Sequence, residues 1–374
     1  MNRRGFVLGA GGALALVGFG TTWRVTRTAQ TADKPWHIEP RPLADARLDA
    51  FRYAILAPNP HNRQPWLIKL VGKDVALLTC DLGRRLPETD PYDRQITIGF
   101  GAFIELARMA AAERGIRLEV DAFPDGEPAP RLDQRVVARL RFIPDASTPR
   151  DPLFPHILNR RTNRDPFDMT RSVPAAIVTR VAENDGWMVD AAKLAQVQAI
   201  TVNAITTEFS TPRTNQESVD LMRIGHAEID ANPDGIALSG PLIEALDVTG
   251  QISRAQLADQ KSSTFAIGLK QSRDIYGSYP ALMWIKTPAN TRADQLEAGR
   301  RYVRAGLRAA ALGLNIHPMS QSLQEYREVA PDFAKIHTLL GIGGNERIQM
   351  LARIGYGTSG AAAPRWPMET HIIV

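Results

Sequence analysis

Cysteine is almost missing from this sequence: Cys80 is the one thiol in 374 residues. That excludes an intramolecular disulfide and any multi-cysteine zinc or iron–sulfur site. Seven histidines are present, but none lies in an H-E-x-x-H pair, so the helical zinc-hydrolase signature is missing too. Neither a Walker A loop nor a G-x-S-x-G elbow occurs, which removes the P-loop and nucleophile-elbow readings. The longest apolar run stops at Phe19, short of the ~20 residues of a free-standing bilayer span. A surplus of body charge is also lacking. The net charge is +5, and Arg3, Arg4, Arg24 and Arg27 of residues 1–32, a stretch without any acid, supply four of those charges. The remainder is nearly neutral, with no electrostatic footprint for nucleic acid. What is left, 44% apolar and 23% charged residues, is the composition of a globular protein of one or two domains.

Residues 1–32 read as an export segment. Arg3-Arg4-Gly5-Phe6 precedes a short Gly/Ala-rich apolar run, which is the grammar of a signal peptide. The Arg3-Arg4-x-Phe6 order resembles the twin-arginine signal, whose machinery exports folded proteins. The expected location is periplasmic or exported, with the segment either cleaved or kept as an anchor.

Within the body, a pattern recurs at an offset of 198 residues. Gly101, Ala107, Ala111, Ala112 and Gly115 superpose on Gly299, Ala305, Ala309, Ala310 and Gly313. Each copy predicts an Ala-rich helix stopped by a glycine and followed by an extended piece. One copy in each half points to an internal duplication. The first lobe is expected over residues 33–150 and the second over 151–374. Strands are predicted at Trp66–Val71, Val75–Cys80, Arg135–Phe142, Ala281–Lys286 and Ile348–Ile354, and helices at Leu43–Leu56, Leu153–Arg160 and Ala191–Glu208. Residues 211–279 have no counterpart in the first lobe and read as an insertion, a lid over a site. Helices flanking an antiparallel-rich sheet in each lobe give an α+β class.

One motif is a decoy. Gly355-Tyr356-Gly357-Thr358-Ser359-Gly360 satisfies G-x-G-x-x-G, but Pro364 and Pro367 forbid the helix that a dinucleotide fingerprint requires. Two other segments carry chemistry. Pro58-Asn59-Pro60-His61-Asn62-Arg63-Gln64-Pro65 is a stiff turn bearing amide and imidazole groups, suited either to the edge of a planar heterocycle or simply to capping. Arg160-Arg161-Thr162-Asn163-Arg164 gathers guanidiniums and a hydroxyl that can converge on one phosphate, or can form a solvated basic surface.

Together these segments resemble the FMN-dependent nitroreductase family. Pro58-x-x-His61-Asn62-x-Gln64-Pro65-Trp66 is similar to its P-S-x-x-N-x-Q-P-W motif, and Arg160-Arg161-Thr162-Asn163-Arg164-x-x-Phe167 to its R-R-S-x-R-x-F. Gly299–Leu314 resembles its G-x-A helix, and Ile354-Gly355-Tyr356 with Pro364-Arg365-x-Pro367 its closing segment. The motifs fall in different lobes, as in the two-lobed Acg-type branch, where one chain mimics the usual homodimer. The resemblance implies a nitroreductase-like α-β-α fold, one FMN between the lobes, and a monomer. Arg160, Arg161, Thr162, Arg164 and Arg365 would hold the phosphate and ribityl chain. Pro58, Asn59, Pro60, His61, Asn62 and Gln64 would line the isoalloxazine. No residue is expected to act as a nucleophile or general base, because the flavin carries the chemistry. The implied activity passes electrons from NAD(P)H to a small nitro or quinone acceptor. The alternative is a protein that holds FMN under a closed lid without turnover.

Overall fold

The computed structural model describes residues 29–358 and 360–374; residues 1–28, with most of the export segment, and Ser359 lie outside the described residues. The first lobe runs α1 (Ala46–Ala54), β1 (Trp66–Val71), β2 (Val75–Cys80), α2 (Arg94–Ala112), β3 (Ile116–Ala122) and β4 (Ala138–Pro144). Asp45 caps α1 by accepting from the Arg47 amide. β1 and β2 occupy the residues predicted for them and pair antiparallel, Trp66 opposite Cys80 through Val71 opposite Val75, around Gly72 at φ 53°.

The second lobe holds α3 (Ala175–Ala182), β5 (Gly186–Met188) and α4 (Ala191–Ser210). Residues 211–279, read in the sequence as an insertion, then fold as α5 (Pro212–Asp220), β6 (Met222–Ile224), α6 (Gly225–Ala231), β7 (Ile236–Leu238), α7 (Pro241–Val248), α8 (Arg254–Ala258) and α9 (Ser263–Tyr276). β8 (Ala281–Thr287), α10 (Arg292–Ala311), β9 (Asn315–Pro318), α11 (Ala330–Leu339), β10 (Arg347–Gly355) and β11 (Ile372–Ile373) complete the chain. The helix expected at Leu153–Arg160 is a 3-10 run over Phe154–Asn159, opened by Pro155.

Each lobe has its own sheet. The second is antiparallel, in the order β5-β8-β10-β9. The first reads β11-β1-β2-β4-β3, so the last strand crosses back from the second lobe and pairs parallel with β1, Ile68 opposite Ile372. This arrangement of helices and antiparallel-rich sheets is α+β.

α2 and α10 join the lobes. Every residue of α2 except Arg108 is buried, which marks a helix enclosed on all sides. The two helices cross at their glycines. A Cβ on Gly101 would lie 1.9 Å from the carbonyl oxygen of Leu296, and one on Gly299 would lie 1.9 Å from that of Ile98. Under the 198-residue offset these two contacts are the same contact seen from either side. The halves therefore meet across a local two-fold relation, and no side chain fits at its centre. On one side of this seam Phe51, Phe103, Trp66 and Phe142 pack as an aromatic core against the first sheet. On the other, Met283, Ile285, Tyr302, Ile316 and Ile354 pack against the second. Among the described residues no helix is long and apolar enough to cross a membrane, and no cluster of His, Cys, Asp and Glu can hold a metal.

Candidate functional site

The stiff turn after α1 takes an unusual backbone path. His61, Asn62 and Gln64 all have positive φ (45°, 52° and 49°), a region that costs non-glycine residues about 1 kcal/mol or more each. Side-chain amides hold the turn in place. Asn59 Oδ1 accepts from the Gln64 amide at 2.7 Å, and Asn59 Nδ2 donates to Ala57 O at 3.1 Å. Asn62 Nδ2 donates to Pro364 O at 2.9 Å, and its Oδ1 accepts from Arg365. Gln64 Nε2 donates to Pro233 O at 2.8 Å, and its Oε1 accepts from the Trp366 amide at 3.0 Å. The amides expected to face a heterocycle are thus engaged with the insertion and the C-terminal segment. They build a wall and leave little free hydrogen-bonding edge. His61 differs: its Nδ1 is buried and has no partner among the described residues. Burial, reinforced by Arg164 and Arg63, pushes its pKa down to about 4, so the ring is neutral at ordinary pH.

The arginine run follows the 3-10 turn in extended conformation. Arg160 is 4% exposed; its stem passes Gly306 of α10, where a Cβ would come within 3.3 Å of Arg160 Cδ. Its head donates to Leu56 O at 3.3 Å and to Thr162 Oγ1 at 3.4 Å. Arg161 donates to Leu158 O and Arg160 O at 2.7 and 2.9 Å. Arg365, 2% exposed, donates to Ile55 O at 2.8 Å and Ala57 O at 3.0 Å. Arg160 and Arg365 therefore converge on the carbonyls that end α1, the negative pole of its dipole. Arg164 makes no hydrogen bond among the described residues. It is solvent-accessible, yet surrounding protein lowers its pKa by desolvation, as expected of a side chain standing in a recess.

No carboxylate among the described residues pairs with Arg160, Arg161, Arg164 or Arg365. Burial, then Arg160, Arg164 and Arg161, bring Arg365 down to about 9, and burial, partly offset by Tyr302 and reinforced by Arg161, brings Arg160 to about 10. All stay protonated at pH 7. A buried cation is ordinarily matched by an anion, and the buried pair Arg160 and Arg365, with half-buried Arg161 and exposed Arg164 beside it, has none among the described residues. The turn from the first lobe, the arginine run from the second and Arg365 beyond β10 thus meet at one place.

A further group was not foreseen in the sequence. Arg353 on β10 is fully buried, lies 3.9 Å from the centre of the Phe167 ring, and donates to His317 Nδ1 at 2.9 Å and Asp165 O at 2.8 Å. Phe167 in turn rests on Gly355, where a Cβ would come within 2.5 Å of the ring. The available signal was a lone arginine inside the apolar run Met350–Ile354. The decoy glycine loop opens no helix. Instead it packs along the arginine run, with Asn163 Nδ2 donating to Thr358 O at 2.7 Å and the Asp168 amide to Tyr356 O at 2.7 Å.

Comparison with known proteins supplies relatives. No family model matches the chain. A Mycobacterium tuberculosis protein named "Putative NAD(P)H nitroreductase Rv3131" is 24% identical over 322 residues, covering 84% of this chain and 86% of that protein. Another, "Putative NAD(P)H nitroreductase acg", is 32% identical over 123 residues, covering 33% of this chain and 36% of that one. A crystal structure titled as a "putative nitroreductase" from Anabaena variabilis covers 87% of this chain and 91% of its own, at 10% identity and a TM-score of 0.44. By sequence, the chain is similar to these two proteins named as nitroreductases, to the first over most of its length and to the second over a third of it.

Proposed function

We propose that the chain binds FMN between its lobes and acts as an exported oxidoreductase, passing electrons from NAD(P)H to a small nitro, quinone or similar acceptor. The observation that carries this reading is the group of four arginines without an acid, in which Arg164 and part of Arg160 and Arg161 keep N–H donors open, among the described residues, to a phosphate monoester. Arg160, Arg161, Thr162, Arg164 and Arg365 would hold the phosphate end. The Pro58–Gln64 turn would wall the ring system, with His61 Nδ1 as an open acceptor or donor. Bound FMN would supply the two-electron chemistry, and the protein's part is binding, orientation and exclusion of water. The 198-residue repeat and the seam at Gly101 and Gly299 support an internal duplication in which one chain takes the place of a dimer, with lobes divided near residue 150. Localisation in the periplasm rests on residues 1–32.

The test is a visible spectrum of the purified protein, followed anaerobically on addition of NADH or NADPH. A flavin band that bleaches supports turnover; no flavin band, even after reconstitution, refutes the reading. Arg160→Ala with Arg164→Ala is expected to lower FMN affinity at least about a hundredfold, from roughly 1.5–3 kcal/mol per charged hydrogen bond. Unchanged retention in a folded variant would refute the phosphate assignment.

A second reading, a non-catalytic FMN-holding protein, is favoured by how the insertion is fastened. Asp234, just before β7, accepts from Arg63 at 2.9 Å and Arg223 at 2.7 Å, with Arg84 at 3.5 Å. Glu217 of α5 accepts from the amides of Glu88 and Thr89 at 2.8 and 3.0 Å. The insertion is thus tied down on the turn that walls the site. A flavin band that resists reduction, and yields to it once the insertion is loosened, would select this reading.

A further inference from the structure

The anion site has one more wall, made by residues just after the export segment. Lys34–Trp36 forms a single 3-10 turn that buries Trp36 to 5% exposure. Its indole lies under two of the four arginines: the Arg161 guanidinium is 4.6 Å from the ring centre and that of Arg365 5.6 Å. The ring is held from several sides. Trp36 Nε1 donates to Ala363 O at 2.8 Å, and the Arg365 amide donates to Ala32 O at 2.8 Å. The preceding backbone is gripped by one carboxylate of the insertion. Asp230 on α6 accepts from the amides of Gln30, Thr31 and Ala32 at 2.9, 2.8 and 3.0 Å and from Thr31 Oγ1 at 2.8 Å. Although partial burial opposes it, these bonds pull the Asp230 pKa down to about 2, so the grip is ionised at every working pH. Residues 30–32, set aside with the export segment in the sequence, therefore belong to the folded body.

Guanidiniums gathered this closely repel one another, and Arg160, Arg164 and, least, Arg161 add to burial in lowering the pKa of Arg365. An aromatic face offsets that repulsion without neutralising either cation or occupying its N–H edge, which lies in the guanidinium plane. A carboxylate at the same place would pair with both and close the site to an anion. We propose that Trp36 is a phosphate-site residue, stabilising the charge of Arg365, whose N–H groups are taken up by carbonyls and Asn62, and of Arg161, whose Nε and Nη2 remain open to the ligand's phosphate, and that Asp230 is its positioning residue. The inference rests on the FMN reading above and goes beyond it by assigning the phosphate end a wall from outside both arginine motifs.

The test uses the full chain with Trp36→Leu, Trp36→Phe and Asp230→Asn, and titrates each with FMN and with riboflavin, which lacks the phosphate. Trp36→Leu is expected to weaken FMN about tenfold and to leave riboflavin within about twofold, the size of one desolvated cation–π pair. Trp36→Phe should recover part of the loss, and Asp230→Asn should shift FMN in the same direction by less. Equal losses for both flavins would mean that Trp36 only supports the fold, and would overturn the proposal. Unchanged FMN affinity in Trp36→Leu, with the wild-type circular dichroism spectrum, would overturn it as well while leaving the FMN reading intact. A wild-type protein that binds neither flavin would overturn both. Because Asp230 holds residues 30–32 and not the indole itself, its variant keeps the question answerable if Trp36→Leu fails to fold.

Discussion

Glu208 shows how one buried residue can set a pH dependence away from the arginines. It sits near the end of α4, 5% exposed, with no cation paired to it among the described residues; its carboxylate accepts from Gln324 Nε2 at 2.8 Å. Burial raises its pKa to about 7, against the pull of Gln324 and Gln321 and with help from Glu217. The folded state therefore holds a proton that the unfolded chain releases near its ordinary value of 4.5. This contribution favours folding most at or below about pH 4.5, erodes as pH rises towards 7, and levels off above. Glu208→Gln is expected to flatten urea-denaturation stability between pH 5 and 8 and to raise it at pH 8 by up to a few kcal/mol, at about 1.4 kcal/mol per unit. A variant with wild-type pH dependence would refute the assignment. Residue-level legibility was uneven. Arg160 and Arg164 stood out because clustered guanidiniums need a reason, and Arg365 through the resemblance carried by Pro364-Arg365-x-Pro367. Glu208, Arg353 and Trp36 did not, since each looks ordinary in its own segment and gains meaning only from what folds against it.

Among the elements, the pair α2 and α10 is the most constrained. Their glycines are dictated by backbone approach: both sites have a carbonyl oxygen where a methyl group would go. Gly299→Ala should cost about 1–3 kcal/mol or more by thermal or chemical denaturation, as overpacking does in a tight core. An alanine tolerated without loss would show that the seam can open. The repeat that predicted these helices was legible because its spacing is constant. The hairpin β1–β2 was legible because period-2 alternation flanks a glycine turn. β5, β6, β7 and β11 were not. Strands of two or three residues carry no periodicity of their own, and they exist because a neighbouring strand offers an edge.

At the scale of the whole molecule, the insertion behaves as a strap fastened by carboxylates: Asp230 to the N-terminal segment, Asp234 to the turn-side arginines, and Glu217 to the loop before α2. Asp234→Ala leaves Arg63, Arg84 and Arg223 crowded without their shared anion. It should increase protease cutting within residues 211–279 at least several-fold while the core melts nearly as before. Unchanged cutting would mean that the other fastenings suffice. The sequence marked this region as unmatched but could not show what it fastens to, because Arg63 and Arg84, which receive Asp234, lie 171 and 150 residues away along the chain.

The return of the chain from the second lobe to the first has a consequence in time. Arg365 and β11 are made roughly two hundred residues after Arg160 and some three hundred after the turn they complete. The first sheet waits with β1 unpaired on one side, and the proposed phosphate site lacks its most buried cation, until these late residues leave the ribosome. Ligand capture therefore belongs to the finished polypeptide, and a nascent chain stalled before residue 365 would present the turn and the arginine run without the means to hold them together.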